Sequence, residues 1–117
     1  MAKKTREGFP WDYRVVRSAD YRSIYGAGRK LMSENFVLFG RENSLSHHRL
    51  GITVSRKVGG AVVRNRIKRL LREIFRKSSS EIPHHFDFVV NVKSACVAAP
   101  YSRLREEFIS AAHRLCE

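Results

Sequence analysis

The stretch from Arg56 to Lys77 constrains this chain more than any other part of it. It carries nine cations, Arg56, Lys57, Arg64, Arg66, Lys68, Arg69, Arg72, Arg76 and Lys77, against one acid, Glu73. The spacing predicts a helix from about Val62 to Lys77. At about 100° per residue, Val63, Ile67, Leu70, Leu71 and Ile74 fall on one stripe, with Phe75 at its edge. Lys68, Arg72, Asn65, Arg76 and Arg69 cover the opposite side, and Arg64 and Arg66 take the flanks. Such a helix must bury its stripe on another element and leave its cations outside. Solvated helix faces ordinarily mix signs, and this one does not. Glu73 is expected to pair with Arg69 and Lys77, one turn away on either side, for about 0.2–0.5 kcal/mol each.

Gly59-Gly60 punctuates the chain before this helix, and Ser78-Ser79-Ser80 with Pro83 ends it. Arg64 and Arg66 sit near its first turn, where cations oppose the helix dipole by about 0.3–1 kcal/mol each. Asn65 is a poor helix former. Stability alone would place acids here. An anion docking at the helix start, where backbone N–H groups are free, accounts for the choice. The planar Arg fork suits phosphate, and Asn65 offers a donor and an acceptor to a base or a ribose hydroxyl.

The whole chain has 117 residues and a net charge of +12, so this one stretch holds two thirds of the excess. That charge calls for a polyanion or a membrane surface as partner. Hydrophobic residues, at 43%, suffice for one small core, and a single domain spanning 1–117 is expected. No apolar run is long enough to span a membrane. Met1 to Arg6 is followed by no apolar segment of the kind a secretory signal needs. Cys96 and Cys116 are widely separated and read as reduced thiols of a cytosolic protein, not as a disulfide scaffold.

Residues 1–12 are basic, contain Gly8 and Pro10, and read as an irregular arm. Ser18 is placed to cap a short helix through Tyr25, with Asp20 in its first turn and Gly26 just past its end. Gly26-Ala27-Gly28 then turns, without the spacing of a phosphate loop. Arg29 to Ser33 and Phe36 to Phe39 read as strands, and Arg41 to His48 as a loop. Leu50 to Ser55 alternates, with Leu50, Ile52 and Val54 on one side and Thr53 and Ser55 on the other. In a strand from Phe86 to Val92, Phe86, Phe88, Val90 and Val92 share a face. Ala99-Pro100 opens a last helix with an inner stripe of Leu104, Phe108, Ala111 and Leu115. The order fits one sheet with helices on one face, and the crossover from Leu50 to Val92 is right-handed by the general rule if its strands are parallel.

The run from Lys57 through Gly59-Gly60 and Arg64-Asn65-Arg66 to Glu73 resembles the RNR motif region of the bacterial ribonuclease P protein subunit. Gly51 to Lys57 resembles that family's preceding strand. Phe9-Pro10, Tyr21, Tyr25, Phe36 to Phe39 and Phe86 to Val90 fall at matching places. The resemblance implies an α+β fold, an αβββαβα two-layer sandwich on a four-stranded mixed sheet, with a left-handed crossover where the general rule gives a right-handed one. It implies a partner, the ribonuclease P catalytic RNA, and a substrate, precursor tRNA, whose 5′ leader is removed. The RNA carries out the chemistry with Mg²⁺, the protein assists, and no catalytic or metal-binding residue of the protein is expected. A cleft for the single-stranded leader would be lined by Tyr21, Tyr25 and Phe39, with Thr53, Ser55 and Lys93 nearby. Arg56, Lys57, Arg64, Asn65, Arg66, Lys68, Arg69 and Arg72 would meet RNA. The family often has Phe where Tyr21 and Tyr25 stand.

Other readings compete. Tyr21 and Tyr25, one turn apart, would pack on the sheet in any such fold, and Thr53 and Ser55 could be merely the wet side of a strand. His47-His48 and His84-His85 are expected in surface loops, because adjacent residues point apart and no further ligand stands at metal spacing. The scattered acids cannot hold two catalytic metals. A ribosomal-type RNA-binding protein or RNA chaperone shares the charge but not the aromatic first helix. A helix-turn-helix DNA binder lacks a second adjacent helix, so DNA is not an expected partner. A membrane-surface helix would need the apolar stripe that the core uses.

Overall fold

Two periodicities, alternation in the strands and one residue in three or four in the helices, set the layers. The computed structural model describes residues 13–82 and 84–117. The expected arm at 1–12 lies outside the described residues. The elements are α1 (Ser18–Ala27), β1 (Arg29–Met32), β2 (Phe36–Glu42), β3 (Arg49–Thr53), α2 (Ala61–Ser78), β4 (Phe86–Val92) and α3 (Tyr101–Leu115). The four strands form one mixed sheet in the order β1-β2-β4-β3. β4 is antiparallel to β2 and parallel to β3, with α2 as the crossover between the parallel pair. This is the expected αβββαβα order.

Register decides which face each residue serves. Phe36, Leu38, Leu31, Leu50, Ile52, Phe86, Phe88 and Val90 share one face. Against it pack Ile67, Leu71, Ile74 and Phe75 of α2 and Leu104, Phe108, Ala111 and Leu115 of α3. The α3 stripe is as expected. In α2, Phe75 is only 1% exposed and belongs to the centre of the contact, while Val63 and Leu70 are half-buried at its margin. α3 sits beside the last turns of α2, so the core shifts toward Phe75 and reaches Ser78, whose hydroxyl donates to the Ile74 carbonyl at 2.6 Å.

The expectation that every helix lies on one face is corrected. α1 packs on the opposite face, where Ile24 and Val15 meet Val89 and the partly buried Tyr21 and Phe39. β4 is the reason. Val89 is 0% exposed, so this inner strand has a buried apolar residue on its second face too and needs cover there. Residues ahead of α1 also cover the open edge of β3, where the Val15 N–H donates to the Leu50 carbonyl at 3.0 Å.

Several boundaries differ from those read in the sequence. α1 is entered from Arg17, and Ser18 makes no capping bond. The helix runs through Gly26 and ends at Gly28, whose N–H donates to the Ile24 carbonyl at 3.0 Å. β2 continues through Arg41 and Glu42 because each pairs with β4. β3 ends at Thr53, although Val54 remains buried.

Candidate nucleic-acid interface

α1 does not cover its sheet face completely, and the uncovered part is a groove lined by rings. Tyr21 and Tyr25, one turn apart, both lean toward the sheet, with ring centroids 6.3 Å apart. Tyr25 meets Phe39 edge to face at 4.8 Å, a favourable aromatic geometry. Phe39 lies on this face because its neighbours Leu38 and Gly40 take the other. The Tyr25 hydroxyl donates to Asn91 Oδ1 at 2.9 Å and lies 3.4 Å from Thr53 Oγ1. The Lys30 ammonium stands 5.8 Å from the Phe39 ring centroid, within cation–π range. Tyr25 is 37% exposed, so it remains open to a ligand.

Tyr21 sits deeper. Its ring rests on Gly51, where a Cβ would come within 2.6 Å of the hydroxyl oxygen, so this close approach requires glycine. Burial raises its pKa above the ordinary value and Tyr25 adds to the rise, while a backbone hydrogen bond from Ile52 and the charge of Arg72 act the other way.

Of the residues expected in the cleft, Tyr21, Tyr25, Phe39 and Thr53 come together. Ser55 is exposed just past β3, where its carbonyl accepts the Val58 N–H at 3.1 Å. Lys93 lies beyond Asn91, at the end of the sheet, with its ammonium donating to the Ser33 carbonyl at 2.6 Å. Asn91 and Lys30 were not singled out from the sequence. Asn91 carried a signal, since it is the polar interruption of the apolar run that ends β4.

The second surface is the start of α2. Gly60 precedes the helix, no side chain caps it, and its first turn holds no acid. Its N–H groups therefore remain available. Asn65, Arg66 and Arg69 are exposed, as are Arg56 and Lys57 in the turn before the helix. Arg64 is half-buried, with Nε donating to the Gly59 carbonyl at 3.2 Å. Lys68 and Arg72 are half-buried too. Burial and then the nearby charge of Arg14 lower the pKa of Arg72. Arg72 also acts on Tyr21, so the two surfaces approach each other around the β3 edge.

Among the described residues, none of Arg56, Lys57, Arg64, Arg66, Lys68, Arg69 and Arg72 forms an ion pair. Glu73 pairs with Arg76 at 2.8 Å and Lys77 at 3.2 Å, not with Arg69. Both partners lie C-terminal to it, and Arg69 is left to solvent.

The other end of this sheet face is occupied by internal bonds. A cavity of about 940 Å³ there is lined by Arg17, Asp20, Arg41, Asn43, Arg49 and Asp87, among others. Arg49 donates twice to Asp87, at 2.9 and 2.7 Å, Asn43 donates to the same carboxylate at 2.8 Å, and Arg41 donates to Ser23. The bond to Ser23, with an Arg49–Asp20 ion pair at 3.7 Å, ties α1 to the sheet.

His48 corrects the reading of both histidine pairs as surface loops. It is 6% exposed, and its Nδ1 accepts the Phe86 N–H at 3.0 Å, which leaves Nε2–H facing the Ile82 carbonyl at 3.4 Å. Burial lowers its pKa, against two backbone hydrogen bonds that act the other way. Its partner in sequence, His47, is half-buried, whereas His84 and His85 are exposed. Among the described residues no three His, Cys, Asp or Glu side chains gather to hold a metal ion. Cys96 and Cys116 are buried free thiols, pushed up to about 11 by that burial.

The ribonuclease P family model matches residues 9–116. The chain belongs to the ribonuclease P protein family. It is 42% identical over 102 residues to the ribonuclease P protein component of Thermotoga petrophila, covering 87% of this chain and 80% of that one. The corresponding protein of Coxiella burnetii is 38% identical over 101 residues, covering 86% and 83%. The solved ribonuclease P protein of Thermotoga maritima superposes with a TM-score of 0.79 at 35% identity, covering 86% of this chain and 96% of that one. A Staphylococcus aureus ribonuclease P protein gives 0.76 at 33% identity, covering 85% and 91%. As a ribonuclease P protein component, the chain is part of an endoribonuclease complex of tRNA processing and has an RNA partner.

Proposed function

We propose that this ribonuclease P protein holds the single-stranded 5′ leader of precursor tRNA in the groove beneath α1, while the start of α2 faces the catalytic RNA. The observation that carries the reading is the pairing of open rings with cations that have no carboxylate partner. Tyr25 and Phe39 offer stacking surface, worth about 1–3 kcal/mol per base. Arg56, Lys57, Arg64, Arg66, Lys68, Arg69 and Arg72 offer charge to phosphates, with Asn65 among them and with free N–H groups at the helix start. Thr53 supplies a hydroxyl beside the rings, and Ser55 another just past the end of β3. Lys93 adds charge at the end of the groove once released from Ser33.

On this reading the catalytic RNA performs the hydrolysis. Mg²⁺, held mainly on RNA phosphates, supplies the activated water and stabilises developing charge. The chain binds and orients the leader and brings positive charge near the cut, which reduces repulsion between two polyanions. Its setting is the cytoplasm.

Reconstitution with a bacterial ribonuclease P RNA at low Mg²⁺ tests the proposal. Cleavage of precursor tRNA is expected to rise on adding the chain, and RNA binding without faster cleavage would contradict it. Tyr21→Ala should weaken binding of leader-bearing tRNA by roughly tenfold and leave mature tRNA little changed. Equal loss on both would remove the groove from the account.

A further inference from the structure

We propose that the side-chain amide of Asn91 is a base-reading donor in the floor of the groove. The inference rests on the groove holding the leader. Stacking on Tyr25 and Phe39 tolerates any base, since every base has a face. Asn91 adds a directional hydrogen bond, which depends on where the base edge places its acceptor.

Asn91 pairs across the sheet with Val37 on one side and Thr53 on the other, which places it on the groove face. A primary amide has one acceptor oxygen and an NH₂ with two donors. Here the oxygen takes the Tyr25 hydroxyl proton at 2.9 Å. With the oxygen on the phenol, the NH₂ points away from it. Among the described residues Nδ2 donates to no other group. Thr53 Oγ1, exposed and 3.4 Å from the same hydroxyl, stands beside it as a group that can donate or accept. A base laid on the rings would therefore meet a fixed NH₂ with its edge and bind best where that edge carries an oxygen or ring-nitrogen acceptor. Tyr25 thus has two parts in this site. Its ring stacks, and its hydroxyl positions Asn91.

The test uses the full chain reconstituted with ribonuclease P RNA and precursor tRNAs in which one leader uridine at a time is replaced by a difluorotoluene nucleotide. This analogue keeps the shape of uracil but lacks strong acceptors. With the native chain, replacement at one leader position should weaken equilibrium binding by roughly tenfold, the worth of one well-placed hydrogen bond. With Asn91→Val, whose side chain suits a strand, the same replacement should cost less than about twofold. Tyr25→Phe keeps the ring and frees the amide, so it should also shrink the difference. A native chain indifferent at every leader position, or an equal loss in Asn91→Val, overturns the role of Asn91. If Tyr21→Ala still separates leader-bearing from mature tRNA, that failure concerns Asn91 alone. If it does not, the groove reading falls and takes this one with it.

Discussion

α2 and α3 lie side by side on the same sheet face and bury similar apolar stripes, yet they spend their charges differently. The polar residues of α3 reach across to other elements. Arg103 pairs with Glu34, Arg105 with Glu81 at 3.3 Å, and Glu107 accepts from the Ser33 hydroxyl and from the backbone and side chain of Asn35 at 2.8 and 2.7 Å. Among the described residues, the ion pairs of α2 are confined to its last turns, around Glu73. Burial of a stripe explains why both are helices. It does not explain why one face is tied to its neighbours and the other is left open; the RNA contact proposed above for α2 would.

The largest effect should come from removing charge at the open end of α2. Arg64→Ala with Arg66→Ala should lower affinity for ribonuclease P RNA on the order of 100-fold, if each makes one charge-assisted bond. The log–log salt dependence should flatten by about 0.7–0.9 for each phosphate that is no longer neutralised. Thermal stability should hold or rise, because both cations oppose the helix dipole. An unchanged salt slope with a lowered Tm would make α2 resemble α3. Next in size is Glu107→Ala, which leaves the buried Asn35 short of acceptors. Chemical denaturation should show a loss of about 2–3 kcal/mol, with RNA affinity of the folded protein retained. The smallest is Arg103→Ala. Its pair with Glu34 is largely exposed, so stability should change by less than about 1 kcal/mol and RNA binding should not change. A fall in RNA affinity there would erase the contrast between the helices.

Periodicity made both stripes legible, because spacing along a helix is written locally. Which side of the sheet a helix takes is not. Ser18 to Tyr25 read as a helix with two tyrosines on one face, but only Val89, buried opposite Phe88, tells that α1 must cross to the far side. The open cations of α2 were legible from the scarcity of acids around them. His48 was not, since a pair of adjacent histidines gives no sign of which one turns inward, and only the Phe86 N–H at the start of β4, which the ring accepts, explains the choice. Asn91 was visible as a polar break in an apolar strand, yet its role depends on a hydroxyl 66 residues away in the chain. The residues of the groove were placed by resemblance, whereas the bonds among them depend on how α1 settles on the sheet.

Gly51 sets how far α1 can settle. With only hydrogen on its Cα, the phenol of Tyr21 lies almost on the backbone, and a Cβ would stand 2.6 Å from its oxygen. A methyl there would act as a shim, lifting the helix and slackening the slot beside it. The gauge of that slot, and with it the grip on a flat ring proposed above, is calibrated by the smallest side chain available.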